Sequence, residues 1–192
     1  VRNLRPYRTG FVGREGELVA AEALLSTASL VTVVGAGGIG KTRFAAQLGL
    51  RVAKQFPGGV WFVELAGVDA DAVPATVLEA LGVTEAANGA ARAVIERLSF
   101  DRSLLILDNC EHVLDAAAEF VATLLASSSP VVALSTSRER LSLPDEHVVR
   151  RAQVRGPAPR DAGALLLHHL PQPPLVQHHR RQHLHGIRRA RG

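Results

Sequence analysis

Gly35-Ala36-Gly37-Gly38-Ile39-Gly40-Lys41-Thr42 is the stretch from which the rest of the chain can be read. It fits the pattern G-x-x-x-x-G-K-[ST] and stands between the β-rich run Leu30-Val31-Thr32-Val33-Val34 and a segment with Phe44, Leu48 and Val52 at helical spacing. Glycines reach backbone conformations closed to other residues, so successive N–H groups can turn inward and surround a phosphate at the positive end of the following helix. Lys41 is placed to reach a β- and γ-phosphate, and the Thr42 hydroxyl to hold a Mg²⁺ ion bridging them. Gly35, Gly37, Gly38, Ile39, Gly40, Lys41, Thr42 and Arg43 are therefore the candidate cofactor-binding residues. A tight glycine turn between a strand and a helix is the competing reading.

Outward from this turn, strand-like and helical stretches alternate across residues 1–150, the pattern of a parallel sheet covered by helices on both faces. Before it, Leu18, Ala21 and Leu25 predict a helix over Arg14 to Leu25. After it, Pro57-Gly58-Gly59 ends the second helix, and Val60-Trp61-Phe62-Val63 is the next strand. Pro74, Val77, Leu78 and Leu81 mark a short helix, and Ala91, Ile95 and Leu98 another. Leu104-Leu105-Ile106-Leu107 is the third strand. A helix with Val113, Ala117, Phe120 and Leu124 on one face leads through Pro130 to a fourth, Val131-Val132-Ala133-Leu134, and His147-Val148-Val149 begins a fifth.

The third strand ends in Asp108, 66 positions after Thr42. An apolar strand delivering a carboxylate beside the phosphates is the second part of a Mg²⁺-nucleotide site, so Thr42 and Asp108 are the candidate metal residues. Glu111 is the nearest acid able to orient or deprotonate an attacking water, and an acid in the first turn of a helix is the alternative. Asn109 cannot act as a base. Ser135-Thr136-Ser137-Arg138 puts polar and cationic groups at the C-terminal edge of the fourth strand, where open α/β sheets bind ligands. Arg138 is placed to sense a γ-phosphate, with an exposed surface arginine as the alternative. Lys41, Asp108, Glu111 and Arg138 are the candidate catalytic residues.

Composition narrows the class. The 192 residues are 47% hydrophobic and 21% charged, ordinary for a globular domain. No apolar run approaches the roughly 18 residues that cross a bilayer, and the first residues lack the apolar stretch of a signal peptide, so a cytoplasmic protein is expected. The single cysteine, Cys110, excludes an intrachain disulfide framework and is expected as a small buried apolar residue. The net charge is +4, yet the last 42 residues hold eight Arg and one Asp, a net +7, which leaves −3 for residues 1–150. Those 42 residues also hold six of the eight His and five of the ten Pro, without an aromatic and with neither a strand nor a helix period. Residues 151–192 are thus expected to form an Arg/His/Pro-rich tail, disordered or loosely attached. A basic nucleic-acid-binding arm, a histidine metal tract and an out-of-frame reading of a GC-rich gene stay open as its origin.

Together, Phe11-Val12-Gly13-Arg14-Glu15, the glycine loop, Gly59-Val60-Trp61-Phe62-Val63-Glu64-Leu65, Leu107-Asp108-Asn109-Cys110-Glu111-His112 and Thr136-Ser137-Arg138 resemble the STAND class of signalling ATPases. The likeness is to the NB-ARC-like nucleotide-binding domain of bacterial AfsR-like and LuxR-like transcriptional regulators, over about Phe11 to Val149. It implies a P-loop NTPase fold, a three-layer α/β sandwich with a parallel sheet in the order 5-1-4-3-2. It also implies ATP or ADP with Mg²⁺ as cofactors, with Val12, Gly13 and Arg14 near adenine and ribose, Lys41 and Thr42 on phosphates and Mg²⁺, Asp108 on Mg²⁺ and Arg138 on the γ-phosphate. In that class a helical domain with a Gly-x-Pro turn and a winged helix follow, beside sensor and output domains. Residues 151–192 show neither, so these parts of a parent regulator are the expected partners.

The function expected on this basis is an ATP/ADP-binding switch with slow hydrolysis inside a signal-transducing regulator. A small-molecule kinase on the same loop is the alternative enzyme, and it would need an acceptor pocket and Arg-rich lids. A basic protein binding nucleic acid through its tail is the alternative binder. No helix-turn-helix is apparent, so direct DNA reading by this chain is not expected.

Overall fold

The computed structural model describes residues 3–4, 15–84 and 86–151. Val12, Gly13 and Arg14 lie outside the described residues, as does the tail from residue 152 onward.

The element order is α1 (Glu15–Thr27), β1 (Leu30–Val34), α2 (Lys41–Val52), β2 (Gly59–Glu64), α3 (Val73–Ala80), α4 (Ala90–Leu98), β3 (Ser103–Asp108), α5 (Leu114–Ala126), β4 (Val131–Ser137) and β5 (Glu146–Arg150). All five strands pair in parallel in the order β2-β3-β4-β1-β5, which read from its other edge is 5-1-4-3-2. β4 therefore stands between the strand feeding the glycine loop and the strand ending in Asp108.

Strand residues alternate between two faces, and each face has its own core. Val31, Val33, Val60, Leu104, Ile106 and Leu134 pack with Leu18 and Leu25 of α1 and Phe44, Leu48 and Val52 of α2. On the other face Trp61, Val63, Leu105, Leu107 and Ala133 pack with residues of α3, α4 and α5. Because both faces are covered, β1, β3 and β4 are buried along their whole lengths and read as apolar runs rather than alternations. This is the three-layer α/β sandwich of P-loop NTPases. Among the described residues no helix is long and apolar enough to cross a membrane.

Several boundaries differ from the sequence expectation. β4 extends through Ser137, with Ser135, Thr136 and Ser137 buried. These polar residues lie inside the sheet because each side chain bonds a neighbour: Ser135 and Thr32 share a 2.7 Å hydroxyl pair, Thr136 bonds Asp108, and Ser137 accepts the Glu139 N–H. In α4, Val94 and Leu98 are buried while Ala91 and Ile95 are only partly so, because an i, i+4 pair suffices to dock so short a helix. After β3 the chain enters no α-helix at once: Asn109 takes a left-handed conformation, φ 61, and opens a 3-10 turn over Cys110–His112 before α5 starts at Leu114. Glu111 therefore stands on this turn, ahead of the first turn of α5.

Candidate functional site

The sheet order brings the ends of β1, β3 and β4 together at one edge. Gly38 and Gly40 of the loop have φ of 77 and 83, values that L side chains resist, which is why glycine occupies both. Gly35 is required for a different reason. A Cβ there would lie 2.2 Å from Ile39 Cδ1 and 2.8 Å from the Arg151 carbonyl oxygen, so the loop can close over Ile39 only without a side chain. Gly40 then hands over directly to α2, whose first residue is Lys41.

A cleft of about 480 Å³ opens above this loop, lined by Gly37, Gly38, Gly40, Lys41, Thr42, Arg43, Asn109, Glu111, His112 and Arg138. The geometry thus gathers most of the residues singled out from the sequence, coming from three separate strand ends. Gly35 and Ile39 do not line the cleft and serve as the packed base of the loop. Asp108 lies beneath it, fully buried at the end of β3.

Lys41 Nζ donates to the carbonyl oxygens of Gly35 at 2.9 Å and Ala36 at 3.3 Å. It also stands 4.0 Å from Glu111 Oε1, which in turn is 3.4 Å from Arg138 Nε. Lys41 and Glu111 are nearly covered, with side chains 7% and 11% exposed, whereas Arg138 is 61% exposed.

Behind this row, Thr136 acts as an organiser that composition and spacing did not reveal. Its hydroxyl donates to Asp108 Oδ1 and accepts the Asn109 N–H at 3.1 Å. One side chain thereby orients the carboxylate and pins the left-handed residue that swings Glu111 into the cleft. The available signal was the polar end of an otherwise apolar strand.

Asp108 Oδ2 and Glu111 Oε2 are buried and have no hydrogen-bond partner among the described residues. Unpaired buried carboxylate oxygens are costly unless a cation or a donor serves them. The Asp108 oxygen is therefore fit to serve a cation or a donor. Among the described residues no cluster of three or more His, Cys, Asp or Glu forms a metal cage.

Cys110, next to Asn109, is buried, and its thiol contacts the Leu107 carbonyl oxygen at 3.4 Å. Burial, with the charges of Asp108 and Glu111, pushes its pKa up to about 12. It is therefore a packed, protonated side chain and not a nucleophile.

Arg151 is a second residue the sequence pattern did not single out. Its N–H donates to the Val34 carbonyl oxygen at 2.7 Å, its guanidinium lies 4.5 Å from the Phe44 ring centroid, and Nη2 reaches the Ile39 carbonyl oxygen at 3.5 Å. It ties the end of β5 to the base of the loop.

A STAND protein, a signal transduction ATPase with numerous domains carrying a tetratricopeptide repeat sensor, from Pyrococcus horikoshii has this fold. It superposes with a TM-score of 0.51 at 21% identity, covering 77% of this chain and 24% of that one. The regulatory protein AfsR of Streptomyces griseus is 34% identical over 155 residues, 72% of this chain and 15% of AfsR. The chain has the P-loop ATPase fold and is similar in sequence to AfsR-like regulators over this domain. An uncharacterized protein of Mycobacterium tuberculosis is 40% identical over 144 residues, 74% of this chain. The chain spans 37% of the length of that mycobacterial relative. It matches no protein-family model. Fold and relatives together support a nucleotide-binding domain of regulatory proteins.

Proposed function

We propose that this chain is an ATP/ADP-binding switch domain with slow ATP hydrolysis, working inside a larger bacterial transcriptional regulator. The observation that carries the reading is the convergence of Lys41, Thr42, Glu111 and Arg138 on one cleft above Asp108. Backbone N–H groups of the loop would hold the β-phosphate at the start of α2. Lys41 would leave the Gly35 and Ala36 carbonyls for the β- and γ-phosphates, and Arg138 would reach the γ-phosphate from β4. Thr42 and Asp108 would hold Mg²⁺, which neutralises charge on the two terminal phosphates. Arg43 completes the phosphate end, and Val12, Gly13 and Arg14 are assigned to adenine and ribose by the family resemblance.

Glu111 is the acid nearest the site of water attack, since Asn109 offers no base. Asn109, which cannot take a proton from water, supports slow turnover. Nucleotide exchange or hydrolysis would then alter how the strand ends dock against the helical, winged-helix, sensor and output domains of a parent regulator. Residues 1–150 are taken as the nucleotide-binding unit and residues 151–192 as the tail, whose first residue, Arg151, packs at the edge of the unit. We place its action in the cytoplasm, which supplies ATP.

Equilibrium binding of ADP and ATP with Mg²⁺, followed by single-turnover hydrolysis, tests the reading. Binding with turnover far below one per second is expected, and turnover of many per second from this chain would contradict it.

A further inference from the structure

Glu111 has as neighbours the two cations that a terminal phosphate needs. Its Oε1 lies 4.0 Å from Lys41 Nζ and 3.4 Å from Arg138 Nε. The carboxylate is held there by backbone geometry: the left-handed Asn109, fixed on Thr136, opens the 3-10 turn that carries it. Its side chain is 11% exposed, and Oε2 is buried without a hydrogen-bond partner among the described residues.

A carboxylate in this place has a consequence apart from base catalysis. A γ-phosphate is also an anion seeking Lys41 and Arg138, so the two compete for the same donors. If both stay, two negative groups face each other at close range, and in a partly buried site that repulsion is weakly screened. A nucleoside diphosphate avoids most of this conflict, because its terminal phosphate is held chiefly by the loop N–H groups.

We propose that Glu111 is a specificity residue that sets the preference of the cleft between nucleoside triphosphate and diphosphate, by competing with the γ-phosphate for Lys41 and Arg138. The inference rests on the nucleotide-binding reading of the same cleft. Glu111 thereby biases the domain toward the diphosphate, and a triphosphate has to draw both cations away before it seats fully. Glutamine at this position keeps the shape, removes the charge and leaves Lys41 and Arg138 to the phosphate.

The test is equilibrium binding of ADP and of a non-hydrolysable ATP analogue, each with Mg²⁺, to the full 192-residue chain. Wild type, Glu111→Gln and Arg138→Gln are compared, with thermal unfolding to confirm that each is folded. Glu111→Gln is expected to tighten the ATP analogue about tenfold, which is about 1.4 kcal/mol, while ADP changes less than about threefold. The gain should shrink as salt rises. Arg138→Gln, at an exposed position that tolerates change, is expected to lower the triphosphate preference about threefold or more. If wild type binds ADP and neither substitution moves the ratio, the competition is refuted and the nucleotide site stands. If Glu111→Gln weakens the ATP analogue instead, the competition is likewise refuted. Absence of nucleotide binding in all three folded proteins removes both this inference and the reading beneath it.

Discussion

Gly35 shows how narrowly single residues define the loop. Its α-carbon faces the Arg151 backbone as well as Ile39, and a backbone oxygen cannot rotate aside as a side-chain methyl can. Gly35→Ala is therefore expected to displace the loop, lowering the unfolding midpoint and weakening nucleotide binding in the same protein. Thr136 is the other sensitive point. Thr136→Val conserves volume but leaves Asp108 Oδ1 and the Asn109 N–H without the hydroxyl that serves both. The expected loss is about 1–3 kcal/mol in urea unfolding, and a change below about 0.3 kcal/mol would contradict the organising role. Cys110 gives a test in pH. Its thiol pKa is raised from 9.0 to about 12 in the fold, so below pH 9 both folded and unfolded chains keep the proton. Between pH 9 and 12 the unfolded chain releases it first, and stability falls as pH rises through that window. At pH 8 a thiol reagent should label Cys110 only on denaturation. Rapid labelling of the folded chain would show that the site is open.

Elements are held by simple devices that are unequally legible in the sequence. α1 is clasped to α2 by Arg51, which bonds Glu22 at 2.6 Å and also pairs with Glu15, while Gln55 bonds the other Glu22 oxygen at 2.9 Å. Arg51→Ala should therefore raise amide exchange in α1 while leaving β1 and β3 protected. Uniform loss of protection would contradict a local clasp. The strands announced themselves because both faces of the sheet are covered, so Leu104-Leu105-Ile106-Leu107 reads as an unbroken apolar run. The phosphate loop was legible because its glycines and its Lys-Thr pair each answer a separate requirement. What local pattern could not supply was the position of Glu111. That depends on a left-handed Asn109 and a hydroxyl from β4, 27 positions away in the chain. The polar end of β4 extended the strand beyond its apolar part for the same reason, since its residues are satisfied by tertiary partners. Sheet order likewise followed from family likeness, as periodicity carries no information about which strands are neighbours.

At the scale of the whole molecule, one arrangement explains why separate motifs act together. Inserting β4 between β1 and β3 sets Arg138 beside both the loop and the Glu111 turn, so a phosphate bound in the cleft would touch three strand ends at once. Arg151 extends the same connection to the edge strand and to the point where the described chain ends. The central claim is that this edge binds an adenine nucleotide through Lys41. Thermal unfolding of the chain with Mg²⁺ and ATP, ADP or GTP, beside Lys41→Ala, tests it most directly. A ligand at one hundred times its dissociation constant stabilises the folded state by about 2.7 kcal/mol, a shift of roughly 5–10 °C for a domain of this size. The account predicts such a shift with ATP and ADP, little with GTP, and its loss in Lys41→Ala. A cooperative transition that no nucleotide moves, or a shift that survives the substitution, would contradict it.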